Sequence, residues 1–134
     1  MIRYMLDTNM IAYAKNRRPI KVLERLLMHE PSEIAVSSIT MAELEFEIQI
    51  SSRPEQNRMA LMLFMAGISI LPFDTNAAME YGDIRHTLKE QGMLIGGNDL
   101  LIAAHARSLG ITLVTHNTHE FSRVENLRIE DWAV

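Results

Sequence analysis

Short apolar runs alternate with longer stretches of helical spacing along this chain. Met1 to Leu6 reads as a short buried strand ending at Asp7, with Thr8 or Asn9 placed to cap a following helix. Pro19 falls near the start of IKVLERLLMHE and suits the first turn of a second helix, where its missing N–H costs nothing. Ile34-Ala35-Val36, bounded by Ser37 and Ser38, is the next strand. Thr40-Met41-Ala42-Glu43 opens a helix to about Ile50, Ser51 to Pro54 breaks the chain, and Glu55 to Ala66 returns to helical spacing. Gly67 precedes a third strand, Ile68 to Leu71. Asp74-Thr75 then starts a long helix that Gly92 is suited to end. Met93 to Gly97 is a loop, Asn98 an N-cap for a helix from Asp99 to Leu109, and Gly110 its stop. Ile111 to Val114 is the clearest strand, and the tail Leu127 to Trp132 adds one edge strand. The alternation predicts an α/β fold with a mainly parallel sheet of four to five strands, covered on both faces. No linker or repeat interrupts it, so residues 1–134 read as a single domain.

Composition narrows the chemistry. Hydrophobic residues make up 48% and charged ones 22%, which suits a folded globular chain. The chain has no cysteine, excluding disulfides, thiolate zinc sites and thiol nucleophiles, and a cytoplasmic setting fits. An Asp arrives after six residues, too early for a signal-peptide core, and no apolar run approaches the roughly 20 residues needed to cross a bilayer. A net charge of −4 does not favour nucleic acid as a partner. Lys15-Asn16-Arg17-Arg18 is either a local phosphate contact or a solvated loop.

In open parallel sheets ligands bind beyond the carboxyl ends of the strands. Asp7 ends the first strand, Glu43 follows the second, and Asp99 opens the helix leading into the fourth. Asn117 and Glu120 come directly after that fourth strand. Separate segments therefore bring carboxylates to one rim, where they repel one another unless a cation intervenes. Oxygen ligands of this kind suit Mg²⁺ or Mn²⁺, which activates water and neutralises charge on a phosphodiester. Duller roles fit the same residues. Thr40-x-x-Glu43 has the spacing of a capping box, and Asp99 in a first helical turn is favoured by the helix dipole. Asn117 and Glu120 also suit a turn. All five histidines read as surface or packing residues. The Met-rich segment Met59 to Met65 reads as core, with a subunit interface as the sharper alternative.

The motifs taken together resemble one family. Met5-Leu6-Asp7-Thr8-Asn9 is similar to the opening motif of PIN-domain proteins, particularly VapC toxins. Ser37 to Leu44, Ile95 to Ala106, Val114 to Phe121 and Leu127 to Trp132 resemble their later motifs in order, over essentially the whole chain. The resemblance implies a three-layer α/β/α sandwich and an Mg²⁺- or Mn²⁺-dependent endoribonuclease toxin that inhibits translation. The substrate implied is structured RNA, tRNA foremost. A VapB-type antitoxin holds such a toxin in check, and a homodimer within a larger complex is expected. Asp7, Glu43 and Asp99 match the family's acidic metal ligands, and Thr115 matches a residue that orients a ligand or water. Asn117 stands where many members have a fourth acid, which leaves Glu120 as a replacement ligand. Glu47 stands where many have Gly. Two rivals remain. Asp7-Thr8-Asn9 faintly resembles the haloacid dehalogenase-type phosphatases, but Asn9 occupies their second Asp position. A catalytically weak or inactive PIN-fold module that binds RNA or protein is the other.

Overall fold

A computed structural model describes residues 1–134. Its strands are β1 (Tyr4–Leu6), β2 (Ile34–Ser37), β3 (Ser69–Leu71), β4 (Thr112–Val114) and β5 (Ile129–Glu130). Its helices are α1 (Thr8–Asn16), α2 (Ile20–Leu27), α3 (Ser38–Ile50), α4 (Pro54–Phe64), α5 (Thr75–Glu90), α6 (Gly97–Leu109) and α7 (Thr118–Phe121). The strands form one sheet in the order β3-β2-β1-β4-β5, and every pairing is parallel.

Every residue of β1 and β2 is buried, as the continuous apolar runs require of strands covered on both faces. Strand alternation then divides the core. Tyr4, Leu6, Ile34, Val36 and Val114 face one cluster, filled by Met10, Ile11, Val22, Leu44, Ile48, Leu61 and Trp132 from α1 to α4 and the C-terminal tail. Met5 and Leu113 face the other, filled by Ile84, Leu88, Leu100, Ile102 and Phe121 from α5 to α7. The result is a three-layer α/β/α sandwich. Each fully buried Leu, Ile or Met on these faces contributes about 1.5–3 kcal/mol over exposure.

Several boundaries move from the sequence expectation. Pro19 sits at the N-cap of α2 rather than inside its first turn, and α2 ends at Leu27. The expected extension to Glu30 gives way to a 3-10 turn at Pro31–Glu33. Gly110 closes α6 at φ +65, a left-handed conformation that favours glycine. On α4, only Leu61, with Met65 beyond its end, is buried, whereas Met59, Met62 and Leu63 are 56–71% exposed. Core packing thus accounts for one side of that helix only. No helix is long and apolar enough to cross a membrane.

Candidate active site

The strand order reverses beside β1, with β2 and β3 on one side and β4 and β5 on the other. Asp7 follows β1 at this switch point, where an open parallel sheet leaves its ligand crevice. Its N–H donates to the Val114 carbonyl at 3.1 Å, and its Oδ1 accepts from the Met10 N–H at 2.9 Å. Asp7 is therefore itself the N-cap of α1, correcting the expectation that Thr8 or Asn9 caps it. Burial pushes the Asp7 carboxyl up, and the charges of Glu43 and Asp131 add to the rise. The facing Thr115 hydroxyl and the Met10 N–H hold it down.

Glu43 does not close a capping box on Thr40. The N-cap of α3 is Ser37, whose Oγ accepts from the Ile39 N–H at 3.1 Å, so Thr40 lies inside the helix. Thr40 is fully buried and its Oγ1 has no hydrogen-bond partner. Glu43 instead reaches across the rim. Its Oε1 accepts from the Thr8 hydroxyl at 2.6 Å, and its Oε2 from the Asn98 amide at 3.3 Å. Asn98 is thus a partner of Glu43, not a cap, because α6 begins at Gly97 behind Gly96.

Asp99, in the first turn of α6, is half-buried. Its pKa is pushed up to about 6, first by burial, then by the charges of Glu120, Asp7 and Glu43. A helix N-terminus favours the ionised acid, so desolvation and crowding outweigh the dipole here. Glu120 is the largest of the three charge contributions. It is delivered by α7, a short helix where the sequence suggested a turn. Asn117 precedes α7 and its side chain does not cap it. The Asn117 N–H donates to the fully buried Thr115 Oγ1 at 3.0 Å. Asp99 thus senses carboxylates from three other segments at one edge, while Asn117 acts there through its backbone.

Three residues of this edge escaped the sequence reading. Thr8 and Asn98, read as caps, hold Glu43. Asp131 lies beyond β5, where the carboxyl-edge rule could have found it, and its charge reaches Asp7. The histidines mostly fill the expected roles. His29 stacks on Trp132, His86 and His119 are exposed, and His105 is buried with Nδ1 2.8 Å from Ser37 Oγ. Burial lowers the pKa of His105. His116 departs from the pattern, pairing with Asp131 at 2.8 Å.

No three acids are drawn into a closed chelate. Glu43 is occupied by Thr8 and Asn98, and bare carboxylates repel. The donor set nevertheless fits a hard divalent cation, because it offers only oxygen and its crowding disfavours the bare ionised state of Asp99. Mg²⁺ keeps several waters and takes one or two carboxylates directly, so no all-protein cage is required. An apolar groove of about 610 Å³ adjoins the rim, lined by Ile39, Phe46, Ile50 and Leu101 with Glu43 and Asn98. Glu47, where the resemblance leads one to expect glycine, lies in its wall.

Comparison with known proteins places the chain. The PIN domain family profile matches residues 4–127. "Ribonuclease VapC2" of Haemophilus influenzae is 44% identical over 99% of this chain and 100% of its own. The "tRNA(fMet)-specific endonuclease VapC" of Shigella flexneri is 40% identical over the same shares. A VapBC crystal structure from Salmonella typhimurium, bound to DNA, contains a chain that superposes with a TM-score of 0.92. That chain is 38% identical, with 98% of this chain and 99% of that one covered. Carrying the fold, the ordered motifs and full-length identity to these relatives, the chain belongs to the PIN-domain family and to its VapC group.

Proposed function

We propose that this protein is a divalent-metal-dependent endoribonuclease, the toxin of a toxin–antitoxin pair, which cleaves structured RNA and so inhibits translation. The observation that carries the reading is the Asp99 carboxyl, raised to about 6 by burial and by three acids remote in sequence. A site so crowded with negative charge is suited to Mg²⁺ or Mn²⁺. The names of relatives support the rest. They include ribonucleases, a tRNA(fMet)-specific endonuclease, and VapBC complexes, a family described as toxin–antitoxin systems. A tRNA substrate and a VapB-type antitoxin are proposed on that basis.

Asp7, Glu43 and Asp99 would hold the cation, with Glu120 supplying the charge that Asn117 lacks. When bound, the cation supplies activation of water and neutralisation of charge developing on the phosphate. The protein's own part is to fix geometry. The Met10 N–H and the Thr115 hydroxyl orient Asp7, and Thr8 and Asn98 keep Glu43 on the rim. Thr115 is itself pinned by the Asn117 N–H. Hydrolysis joins a water oxygen to phosphorus, breaks one P–O ester bond and protonates the leaving ribose oxygen.

The test incubates structured RNA with purified protein and Mn²⁺, with and without EDTA, beside Asp7→Asn and Glu43→Gln. Asparagine keeps the N-cap acceptor of α1, so a loss reports on the charge rather than on folding. Activity should fall at least about a hundredfold in each variant, the scale of several kcal/mol of lost charge stabilisation. Equal cleavage by wild type and Asp7→Asn would assign the activity to a contaminant and sink the proposal. Metal binding without cleavage of any structured RNA would favour a PIN-fold binding module instead, the reading that the amide of Asn117 keeps open.

A further inference from the structure

Beside the four acids the same edge carries a second polar pair. His116 lies two residues beyond Val114 and Asp131 one beyond Glu130, and the pairing of Val114 with Glu130 sets them side by side. His116 Nδ1 is 2.8 Å from Asp131 Oδ2, while Oδ1 of that carboxylate accepts from the Ala133 N–H at 2.8 Å. The Tyr13 ring of α1 meets the imidazole edge-on at 6.2 Å and 73°. The Asp131 side chain is 12% exposed and that of His116 is 53% exposed. An ionised carboxylate only accepts, so Nδ1 carries hydrogen and Nε2 is left without a protein partner. The histidine is thus oriented from two sides yet offers a ring nitrogen outward.

Its position ties it to the reaction edge. Thr115, the residue before His116, faces Asp7, and the Asp131 charge reaches Asp7 as well. The ring is already paired with the Asp131 carboxylate, so the pair carries no net positive charge to offer a phosphate. A neutral hydroxyl needs none. The ribose 2′-hydroxyl both donates and accepts, so it bonds Nε2 whether that nitrogen is bare or protonated.

We propose that His116 Nε2 hydrogen-bonds the 2′-hydroxyl of a ribose lying across the acidic edge, with Asp131 as its positioning residue, so that the pair selects RNA over DNA. The inference rests on the nuclease reading and deepens it. The test measures binding in EDTA, with the RNA verified intact on a gel, of one stem-loop sequence made as RNA and as DNA. Wild type should prefer the RNA. In His116→Ala the RNA-to-DNA affinity ratio should fall by about three- to tenfold, the worth of one hydrogen bond. His116→Gln, whose amide donates and accepts at similar reach, should recover part of the ratio. Asp131→Ala, which leaves the ring unanchored, should give a partial fall. An unchanged ratio in His116→Ala overturns the proposal. Equal loss of both affinities with a shallower salt dependence does so too, assigning His116 to phosphate. Cleavage by the same wild-type protein in Mn²⁺ reports separately on the nuclease reading, since the binding ratio needs no turnover.

Discussion

Asp99 carries a charge at neutral pH that the metal-free fold disfavours. Its folded-state pKa of about 6 exceeds the ordinary 3.8. The protonated acid's relative contribution to stability is complete below the ordinary value and is lost as pH rises through about 6. In EDTA, Asp99→Asn should therefore stabilise the protein at pH 8 and change little at pH 4. The gain should be about 1–2 kcal/mol once the half-exposed position is allowed for, read as a rise in melting temperature. A rise of the same size at both pH values would show that charge crowding is not its source. Added Mn²⁺ should invert the order, since wild type gains stability by binding and the variant gains less. Asp7, Glu43 and Asp99 were legible as acids because each stands where a strand or the start of a helix meets the carboxyl edge. Their partners were not. Thr8 and Asn98 have good N-cap chemistry, and only the folded chain shows that Asp7 and Gly96 hold those positions while Thr8 and Asn98 face Glu43.

Helix α3 illustrates how spacing underdetermines an element. Thr40-x-x-Glu43 satisfies the pattern of a capping box, yet the N-cap lies three residues earlier, at Ser37. The shift puts the Thr40 hydroxyl into the interior with no partner and releases Glu43 to the rim. Replacing an unsatisfied buried hydroxyl by a methyl of the same shape removes a desolvation penalty. Thr40→Val should thus raise stability by about 1 kcal/mol in urea unfolding, with RNA cleavage retained. A loss of stability would mean that Oγ1 has a partner, such as an ordered water. Strand cores were legible from apolar runs, but their ends were not. Met1 to Leu6 shortens to Tyr4–Leu6 because hydrogen-bond pairing, not hydrophobicity, ends a strand. The short helix α7 escaped notice because four polar-rich residues carry no periodicity, though it delivers Glu120.

At the scale of the whole molecule, α3 and α4 leave Phe46, Ile50, Met59, Met62 and Leu63 exposed, at 56–71%. Apolar area of this kind, concentrated on two adjoining helices, is expected to drive self-association. Leu63→Lys and Met62→Lys should shift sedimentation from dimer to monomer at micromolar concentration without lowering the melting temperature of the monomer. A wild-type protein already monomeric there would defeat that expectation. Sequence patterning by itself determined the α/β class, the parallel sheet, the absence of thiol chemistry and the acids able to serve at one edge, since each follows from residue type and local period. It could not determine which acids meet. That depends on strand order, which reverses beside β1 and brings the charges of Asp7, Glu43 and Glu120 to bear on Asp99. The pairing of β4 with β5 likewise sets His116 against Asp131. Local propensity acts over a few residues, whereas the charge coupling of this edge arises between segments up to 124 positions apart, from Asp7 to Asp131. Only packing of the two helical layers onto the sheet brings them together.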